Sequence, residues 1–243
     1  MKERLDMIVQ RQAGVSRSCA QGLICTGMVY SLGGEKLDKP GVRLPSDTVL
    51  EIREGPRFVS RGGEKLEAAF EAFHLDVAGK VAIDVGASTG GFTDCLLQHG
   101  AVRVYAVDVG YGQLAWKLRQ DPRVAVMERT NIRHLEPGAL PERPQFFTAD
   151  CSFISLGLVL PPLRALLATG AQGIVLIKPQ FEAGRANVGK GGVVRDPAVH
   201  EQVVADVLFL AQELGFAPGP VLPSPLLGPA GNREFLLLLT KTE

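Results

Sequence analysis

The chain has 243 residues, of which 46% are hydrophobic and 21% charged, and its formal net charge at pH 7 is zero. This length can hold one large domain, or a small and a medium one. Because the net charge is zero, any contact with nucleic acid must come from local clusters of basic residues. The apolar runs are too short for a membrane span, and the charged opening MKERLDMIVQRQ is unlike a signal peptide. We therefore expect a cytoplasmic protein without a membrane partner.

The cysteines and histidines show no metal-binding pattern. Cys19, Cys25, Cys95 and Cys151 have no C-x-x-C spacing, and the four histidines are scattered along the chain. This argues against structural zinc and against a disulfide framework. We expect no metal.

Residues 1–54 have the pattern of a small separate domain. Residues 4–9 fit a short helix, Ser16 can cap a second helix over residues 17–26, and Gly27 ends it. Two alternating segments, at residues 28–31 and 48–52, predict strands. The Gly55-Pro56 pair then predicts a linker over residues 55–64, which leaves residues 65–243 as the second domain.

Helices and strands alternate along the second domain. This alternation predicts an α/β fold with a doubly wound, mostly parallel sheet. The last two strands lack a full helix between them, which indicates an antiparallel final strand. The predicted strands cover residues 81–85, 102–107, 124–127, 146–149, 174–177, 218–222 and 235–239, and the predicted helices cover residues 65–73, 92–99, 113–119, 155–167 and 197–214.

The stretch from Val81 to Asp108 is the most informative in the chain. It reads as a strand, a glycine-rich loop, a helix and a second strand that ends in an acid. This layout holds an adenosine-bearing cofactor at the edge of a parallel sheet, where the acid accepts hydrogen bonds from ribose hydroxyls. The plainer alternative is an unrelated α/β domain in which the glycine turn only connects strand to helix.

The loop sequence favours S-adenosylmethionine over a dinucleotide. A dinucleotide site needs G-x-G-x-x-G for its pyrophosphate, whereas this loop is G-A-S-T-G-G and follows a strand containing Asp84. A carboxylate suits the ammonium and sulfonium of S-adenosylmethionine but repels a pyrophosphate. We expect Asp84 near the methionine group and Asp108 at the ribose. The predicted cofactor-binding residues are Asp84, Gly86, Ser88, Thr89, Gly90, Gly91, Phe92, Asp108, Asn131 and Asp150.

Four charged residues occur where such a sheet would bring them together, near the ends of different elements. Ligands bind at the carboxyl ends of the strands in open α/β sheets, so a joint position there indicates a reactive site. Each residue taken alone could equally be part of an ordinary ion pair. The four are Lys65, Asp150, Lys178 and Glu234.

Ordered motifs resemble a known family. RLD at the start, SR before a helix ending in LICTG, and KPG before a last strand resemble the S4 RNA-binding domain. The Lys–Asp–Lys–Glu set resembles the tetrad of FtsJ-like ribose 2′-O-methyltransferases. Over nearly its whole length the chain resembles the TlyA/haemolysin-A family of ribosomal-RNA methyltransferases. The most specific motifs are SRGGEKL (60–66), DVGASTGGFTD (84–94), AVDVGYGQL (106–114), DCSFISL (150–156), KPQFE (178–182) and VGKGGVVRD (188–196).

The resemblance implies a Rossmann-like class I methyltransferase domain with a seven-stranded sheet, preceded by an S4-like RNA-binding domain. It implies the tetrad as the catalytic set, S-adenosylmethionine as cofactor and a cytidine 2′-hydroxyl of ribosomal RNA as acceptor. Little precedes RLD, and family members with a short N-terminus are associated with the large subunit, so we expect large-subunit RNA. The predicted RNA-binding residues are Arg4, Arg17, Lys36, Lys39, Arg61, Arg185 and Lys190.

A ribose 2′-hydroxyl must lose its proton as it attacks the methyl carbon. We expect Lys178 to receive or steer that proton, because burial and the neighbouring Lys65 disfavour its ammonium form. Asp150 and Glu234 would hold the two lysines in place. Two other functions are weighed: a protein that binds cofactor and RNA without turnover, which the intact tetrad argues against, and a membrane-lytic haemolysin, which the lack of a spanning or basic amphipathic segment argues against.

Several residues allow two interpretations. Asn131 is placed to meet the adenine edge or to cap a turn. Residues 184–196 form either a lid that clamps RNA phosphates or a solvated loop. Phe153 and Phe181 stack on an extruded base or line a pocket wall. Cys151 beside Asp150 could serve base methylation as a nucleophile, but no Pro-Cys motif supports it.

Overall fold

The computed structural model describes residues 1–53 and 55–243. The chain separates into two compact units, Met1–Arg57 and Phe58–Glu243. The predicted boundary residue, Glu54, lies outside the described residues. The second unit begins inside the segment that we predicted as a linker, because Phe58 is buried in the hydrophobic core of that unit.

The first unit has two helices and two small antiparallel sheets. The cap predicted for the second helix is confirmed, since Ser16 Oγ accepts a hydrogen bond from Cys19 N at 3.2 Å. Two strands of three residues, which pair with each other, escaped the sequence analysis because such short segments show no alternation. The elements are β1 (Lys2–Arg4), α1 (Leu5–Ala13), α2 (Arg17–Cys25), β2 (Val29–Ser31), β3 (Arg43–Pro45) and β4 (Leu50–Ile52).

The second unit is built on a seven-stranded sheet between two layers of helices. Its apolar strands are buried on both faces, so they read as continuous hydrophobic runs rather than alternating ones. The elements are α3 (Gly62–Phe73), β5 (Val81–Val85), α4 (Gly91–Gln98), β6 (Arg103–Val107), α5 (Trp116–Arg119), β7 (Val124–Met127), β8 (Phe146–Ala149), α6 (Leu156–Leu166), β9 (Gln172–Ile177), α7 (Pro179–Glu182), α8 (Pro197–Glu213), β10 (Phe216–Pro223) and β11 (Phe235–Lys241).

The strand order is β10-β11-β9-β8-β5-β6-β7, and β11 is antiparallel to both of its neighbours. The predicted mostly parallel sheet with an antiparallel last strand is therefore confirmed. Strand β5 pairs in parallel with β6 on one side and β8 on the other. From β5 the chain continues outward to β6 and β7, and it then returns to the other side of β5 at β8. This change of direction opens a crevice at the carboxyl ends of these strands.

Several helices differ from the prediction. Helix α1 extends to Ala13 instead of ending at residue 9, and the short helix α7 was not predicted. The segment predicted as helix 113–119 is helical only over Trp116–Arg119, because Ala115 is extended and its N–H donates to Thr89 O at 3.1 Å. Helix α3 begins at Gly62, three residues earlier than predicted. Over residues 1–53 and 55–243, no helix is both long and apolar enough to cross a membrane.

Candidate active site

The four charged residues singled out in the sequence meet at the carboxyl edge of the sheet. Lys65 Nζ lies 2.6 Å from Glu234 Oε2 and 3.8 Å from Asp150 Oδ2. Lys178 Nζ lies 2.5 Å from Asp150 Oδ1. The tetrad is thus a chain of alternating charge in which Asp150 contacts both lysines.

The tetrad is largely removed from water. The side chain of Glu234 is 1% exposed, and that of Lys178 is 8% exposed. Burying an ionised side chain costs several kcal/mol, roughly, unless a partner of opposite charge compensates it. Two lysines and two carboxylates leave no net charge, so each residue stabilises the charged form of its neighbour. Removing one of them would leave a buried charge unpaired.

The structure adds Ser152 to the site, a residue that the sequence analysis missed. Lys178 Nζ donates a hydrogen bond to Ser152 Oγ at 3.2 Å. With the ion pair to Asp150, two of the three N–H directions of this ammonium are occupied. The third direction remains for a substrate. The signal in the sequence was the position of Ser152 two residues after Asp150.

A cavity of about 300 Å³ opens beside the tetrad. All four tetrad side chains line it, together with Ser152 and Arg61. Five predicted cofactor residues also lie on its wall: Gly86, Ser88, Thr89, Gly91 and Phe92. We call this space the tetrad cavity.

A second cavity, of about 390 Å³, adjoins the first and is called the Asp108 cavity. The two share the wall residues Gly86, Ser88, Asp150 and Ser152. The remaining wall of the Asp108 cavity is mostly apolar. An apolar slot with a carboxylate at one side suits an adenosine group, and the shared wall joins that slot to the tetrad.

Asp108 is oriented by two backbone donors. Its Oδ2 accepts from Ser88 N at 2.8 Å and its Oδ1 from Gly110 N at 2.7 Å. Each carboxylate oxygen can accept a further hydrogen bond, so both remain available to ribose hydroxyls. Asn131 also lines this cavity, and its Oδ1 caps a turn by accepting from Arg133 N at 3.1 Å. Asn131 therefore fits both interpretations left open by the sequence.

Two glycines allow backbone segments to approach closely. At Gly86, where φ is +84°, a Cβ atom would lie 2.7 Å from the Asp150 carbonyl oxygen. At Gly91 a Cβ atom would lie 2.8 Å from Gly63 N. Gly90, a predicted cofactor residue, borders neither cavity. A Cβ atom there would overlap the side chain of Leu118, so this position needs a glycine for packing, and its contact with the cofactor stays a prediction.

The sequence analysis expects Asp84 near the methionine group of the cofactor, and this stays a prediction. Asp84 is fully buried and borders neither cavity. Its carboxylate accepts hydrogen bonds from Thr93 Oγ1 at 2.7 Å and Thr148 Oγ1 at 2.8 Å. Burial raises the pKa of Asp84 to about 6. The carboxylate points into the core because Asp84 lies within β5, where every residue is buried.

Cys151 lines the Asp108 cavity but is poorly suited to nucleophilic attack. Burial, reinforced by the neighbouring Asp150, raises the pKa of its thiol to about 12. Only a thiolate is an effective nucleophile, so Cys151 stays unreactive near neutral pH.

The basic residues predicted to bind RNA are distributed over both units. Arg4 and Arg17 both contact Asp6, which is buried, and each side chain remains about half exposed. A hydrogen bond from Arg4 lowers the pKa of Asp6 far below its usual range. The other five are exposed: Lys36, Lys39, Arg61, Arg185 and Lys190.

Phe153 and Phe181 form an aromatic pair whose ring centroids lie 5.3 Å apart. Phe153 lines the Asp108 cavity, is 91% exposed and has a φ of +64°. A bulky residue in the left-handed region is strained. Glu182 helps to hold this segment, because it accepts from Ser155 Oγ at 2.7 Å and Leu156 N at 2.8 Å.

One cluster of potential metal ligands occurs among the described residues, away from the tetrad. The ligand atoms of Glu67, Cys95 and His99 lie within 4.8 Å of one another. His99 Nε2 is 2.7 Å from Glu67 Oε2, and its ring stacks on Phe70 with centroids 4.2 Å apart. The sequence analysis did not find this cluster, although Cys95 and His99 are four residues apart, at adjacent positions on one side of a helix.

The chain is similar to known methyltransferases and to a solved structure. A family model described as FtsJ-like methyltransferase matches residues 58–241. YqxC of Bacillus subtilis is 52% identical over 241 residues, which are 98% of this chain and 85% of that protein. The 16S/23S rRNA (cytidine-2′-O)-methyltransferase TlyA of Mycobacterium tuberculosis is 48% identical over 239 residues, 97% of this chain and 89% of the relative. A solved Streptococcus thermophilus structure is 47% identical with a TM-score of 0.77, and the match covers 100% of this chain and 89% of that one.

Proposed function

Because the chain belongs to the FtsJ-like methyltransferase family, we propose that it transfers a methyl group to the 2′-hydroxyl of a cytidine in ribosomal RNA. The family match confirms the methyltransferase class and S-adenosylmethionine as methyl donor. The observation that carries the proposal is the buried tetrad beside two adjoining cavities. The Asp108 cavity suits an adenosine group, and the tetrad cavity would place an acceptor beside the two lysines.

The Asp108 cavity would hold the adenosine part of the cofactor. Asp108 would accept from the ribose hydroxyls, and the apolar wall would enclose the adenine. The wall shared at Gly86, Ser88 and Asp150 would hold the methionine part, with Asp150 offering negative charge to its ammonium. When bound, S-adenosylmethionine supplies an electrophilic methyl group at this junction.

Lys178 would orient the acceptor hydroxyl. Its free N–H direction can donate to the 2′-oxygen, which leaves a lone pair of that oxygen available for attack. The ion pair with Asp150 fits a charged ammonium, so Lys178 would orient the hydroxyl rather than take up its proton. As the oxygen–methyl bond forms and the sulfonium–methyl bond breaks, the hydroxyl proton would pass to the Asp150 carboxylate or to water, and S-adenosylhomocysteine would leave. Lys65 and Glu234 complete the charge balance that keeps Asp150 in place.

Ribosomal RNA as substrate is supported by the name of the Mycobacterium tuberculosis relative. Only RNA has the 2′-hydroxyl that the chemistry requires. The unit Met1–Arg57, which contains the predicted S4-like domain of residues 1–54, would dock structured RNA through exposed basic residues. An enzyme with this substrate would act in the cytoplasm.

The experiment is transfer of a labelled methyl group from S-adenosylmethionine to purified 30S subunits, 50S subunits and their free RNAs. Resistance of the labelled site to alkaline hydrolysis would identify 2′-O-methylation at a cytidine. Label at an alkali-sensitive site would overturn the proposal in favour of base methylation. Cofactor binding without label in any RNA would favour a protein that binds without turnover.

A further inference from the structure

The segment VGKGGVVRD, one of the distinctive motifs of the sequence, forms one wall of a further cavity. A bridge between Gly189 and Val193 closes a small hairpin at residues 188–194. Opposite it lies the turn at residues 228–233, which immediately precedes Glu234. The space between them measures about 390 Å³, and we call it the hairpin cavity.

The walls of the hairpin cavity are fixed by a buried side chain. Asn232 Oδ1 accepts from Val194 N at 2.9 Å, and Asn232 Nδ2 donates to Gly192 O at 2.9 Å. Asn232 is 2% exposed, so these hydrogen bonds are shielded from water. His200 Nε2 lies 3.0 Å from Val194 O and supports the hairpin from helix α8. The cavity is therefore a structured feature rather than a gap between loose loops.

Two arginines give this cavity a positive charge. Arg195 comes from the hairpin side and Arg233 from the turn, and both are exposed. Among residues 1–53 and 55–243, neither forms an ion pair, and no acidic residue lines the cavity. Two unneutralised guanidinium groups facing one space favour a phosphate, whose oxygens match their planar donors.

The hairpin cavity lies next to the catalytic tetrad along the chain. Arg233 directly precedes Glu234, so their Cα atoms are about 3.8 Å apart. Glu234 reaches the tetrad cavity, whereas Arg233 lines the hairpin cavity. Pro229 also lines the tetrad cavity and Ala230 the hairpin cavity, so the short segment 229–234 borders both spaces.

We propose that Arg195 and Arg233 bind a backbone phosphate of the RNA strand next to the nucleotide that is methylated. This inference rests on the proposed function, because it takes an RNA as the occupant of the tetrad cavity. The motif at residues 188–196 would then help to position the RNA. A phosphate held by the two arginines sets which nucleotide of the RNA strand reaches Lys178.

The test replaces both arginines in the full-length protein, as R195Q/R233Q. The matched control is K80Q/R103Q, which also removes two positive charges, at the amino ends of β5 and β6 on the opposite edge of the sheet. Binding of a fluorescently labelled oligocytidine RNA is measured by anisotropy over a range of salt concentrations. Methyl transfer to 50S subunits and affinity for S-adenosylmethionine are measured in parallel, and circular dichroism checks the fold.

We expect R195Q/R233Q to bind the RNA on the order of tenfold more weakly per arginine removed. The slope of log affinity against log salt should fall by about 0.7, the value for one phosphate contact on a single strand. Cofactor affinity should stay within about twofold of wild type, and K80Q/R103Q should match wild type. An unchanged slope with unchanged RNA affinity would overturn the inference.

The two proposals fail separately in this design. If the wild-type protein binds RNA but transfers no methyl group to a ribose, the proposed function fails. The salt dependence of RNA binding by wild type and R195Q/R233Q still shows whether the hairpin cavity binds a phosphate. If the wild type methylates RNA and R195Q/R233Q does so with the same KM and salt slope, the phosphate site is wrong and the proposed function stands.

Discussion

At the scale of single residues, the contacts of Lys178 suit the role that we propose for it. Two of its N–H directions are fixed by Asp150 and Ser152, so the third is aimed rather than free to rotate. An N–H group held in one direction reduces the entropy that is lost when the acceptor oxygen is aligned with the methyl group. The same contacts hold Asp150, which is partly exposed and pairs with two lysines at once.

Lys178→Ala should reduce methyl transfer by a factor on the order of 10²–10⁴, the usual contribution of a positioned proton-handling group. Affinity for S-adenosylmethionine should remain close to wild type, because Asp108 and the apolar wall are unchanged. Single-turnover transfer and equilibrium cofactor binding measure the two quantities, with Lys80→Ala as a control at the amino end of β5, opposite the tetrad. Near-normal transfer by Lys178→Ala would remove Lys178 from the mechanism.

Asp84 should make the stability of the protein depend on pH. Its pKa is raised from 3.8 to about 6, so the folded state binds its proton more tightly than the unfolded chain does. The penalty for the charged form is absent below pH 3.8 and complete above pH 6, where it amounts to about 3 kcal/mol.

Asp84→Asn removes this penalty. We therefore expect the stability of the variant relative to wild type to rise between pH 4 and pH 8 by an amount on the order of 3 kcal/mol. Urea unfolding of both proteins at the two pH values gives this difference, in which the titration of all other groups cancels. A relative stability that does not change with pH would contradict the account of Asp84.

The cysteines should differ in reactivity. Cys19 and Cys25 are exposed, whereas the pKa of Cys151 is raised to about 12 by burial and Asp150. Iodoacetamide at pH 8 should modify the first two and leave Cys151 unmodified, as read by peptide mass spectrometry. Cys151→Ala should also keep methyl transfer within a few-fold of wild type. Loss of transfer in that variant would return base methylation to consideration.

At the scale of elements, the active site depends on how closely α3, α4 and the glycine loop approach one another. The start of α4 packs against the backbone at the start of α3, which carries Lys65. A side chain at Gly91 would push these helix ends apart. The distance between the glycine loop and the tetrad is therefore set by the absence of a Cβ atom.

Gly91→Ala should destabilise the protein by about 1–3 kcal/mol, because the neighbouring backbone at Gly63 must shift. Its cofactor affinity should fall as well. Gly22→Ala is the matched control: Gly22 lies inside α2 with nothing within 4 Å of an added Cβ, so alanine should stabilise by about 0.5–1 kcal/mol. Chemical denaturation of both variants tests the pair. Equal effects of the two substitutions would contradict the packing argument.

The larger elements could be predicted because their sequence patterns are strong. Strands buried on both faces read as short apolar runs, and β5 and β8 have the predicted bounds. The three-residue strands β1 and β3 were missed, and the helix at Trp116–Arg119 is shorter than predicted. These depend on pairing and packing with distant residues, which local patterns do not encode.

At the scale of the whole molecule, the tetrad could be predicted because parallel strands end at one edge of a sheet. Its four members come from the ends of four elements, and the fold brings them together. The burial of Asp84 was not predicted, because the direction of a side chain depends on which face of β5 it occupies. Ser152 was missed because a serine acquires a role only through its distance from Lys178.

The central claim is that a ribose 2′-hydroxyl is the acceptor, and the most direct test replaces that group. Once the methylated cytidine has been mapped, an RNA with 2′-deoxycytidine at that single position is compared with the all-ribose RNA in a labelled transfer assay. Both RNAs should bind with similar affinity, and only the all-ribose RNA should be methylated. Continued transfer to the 2′-deoxy RNA would place the methyl group elsewhere and contradict the assignment of the tetrad.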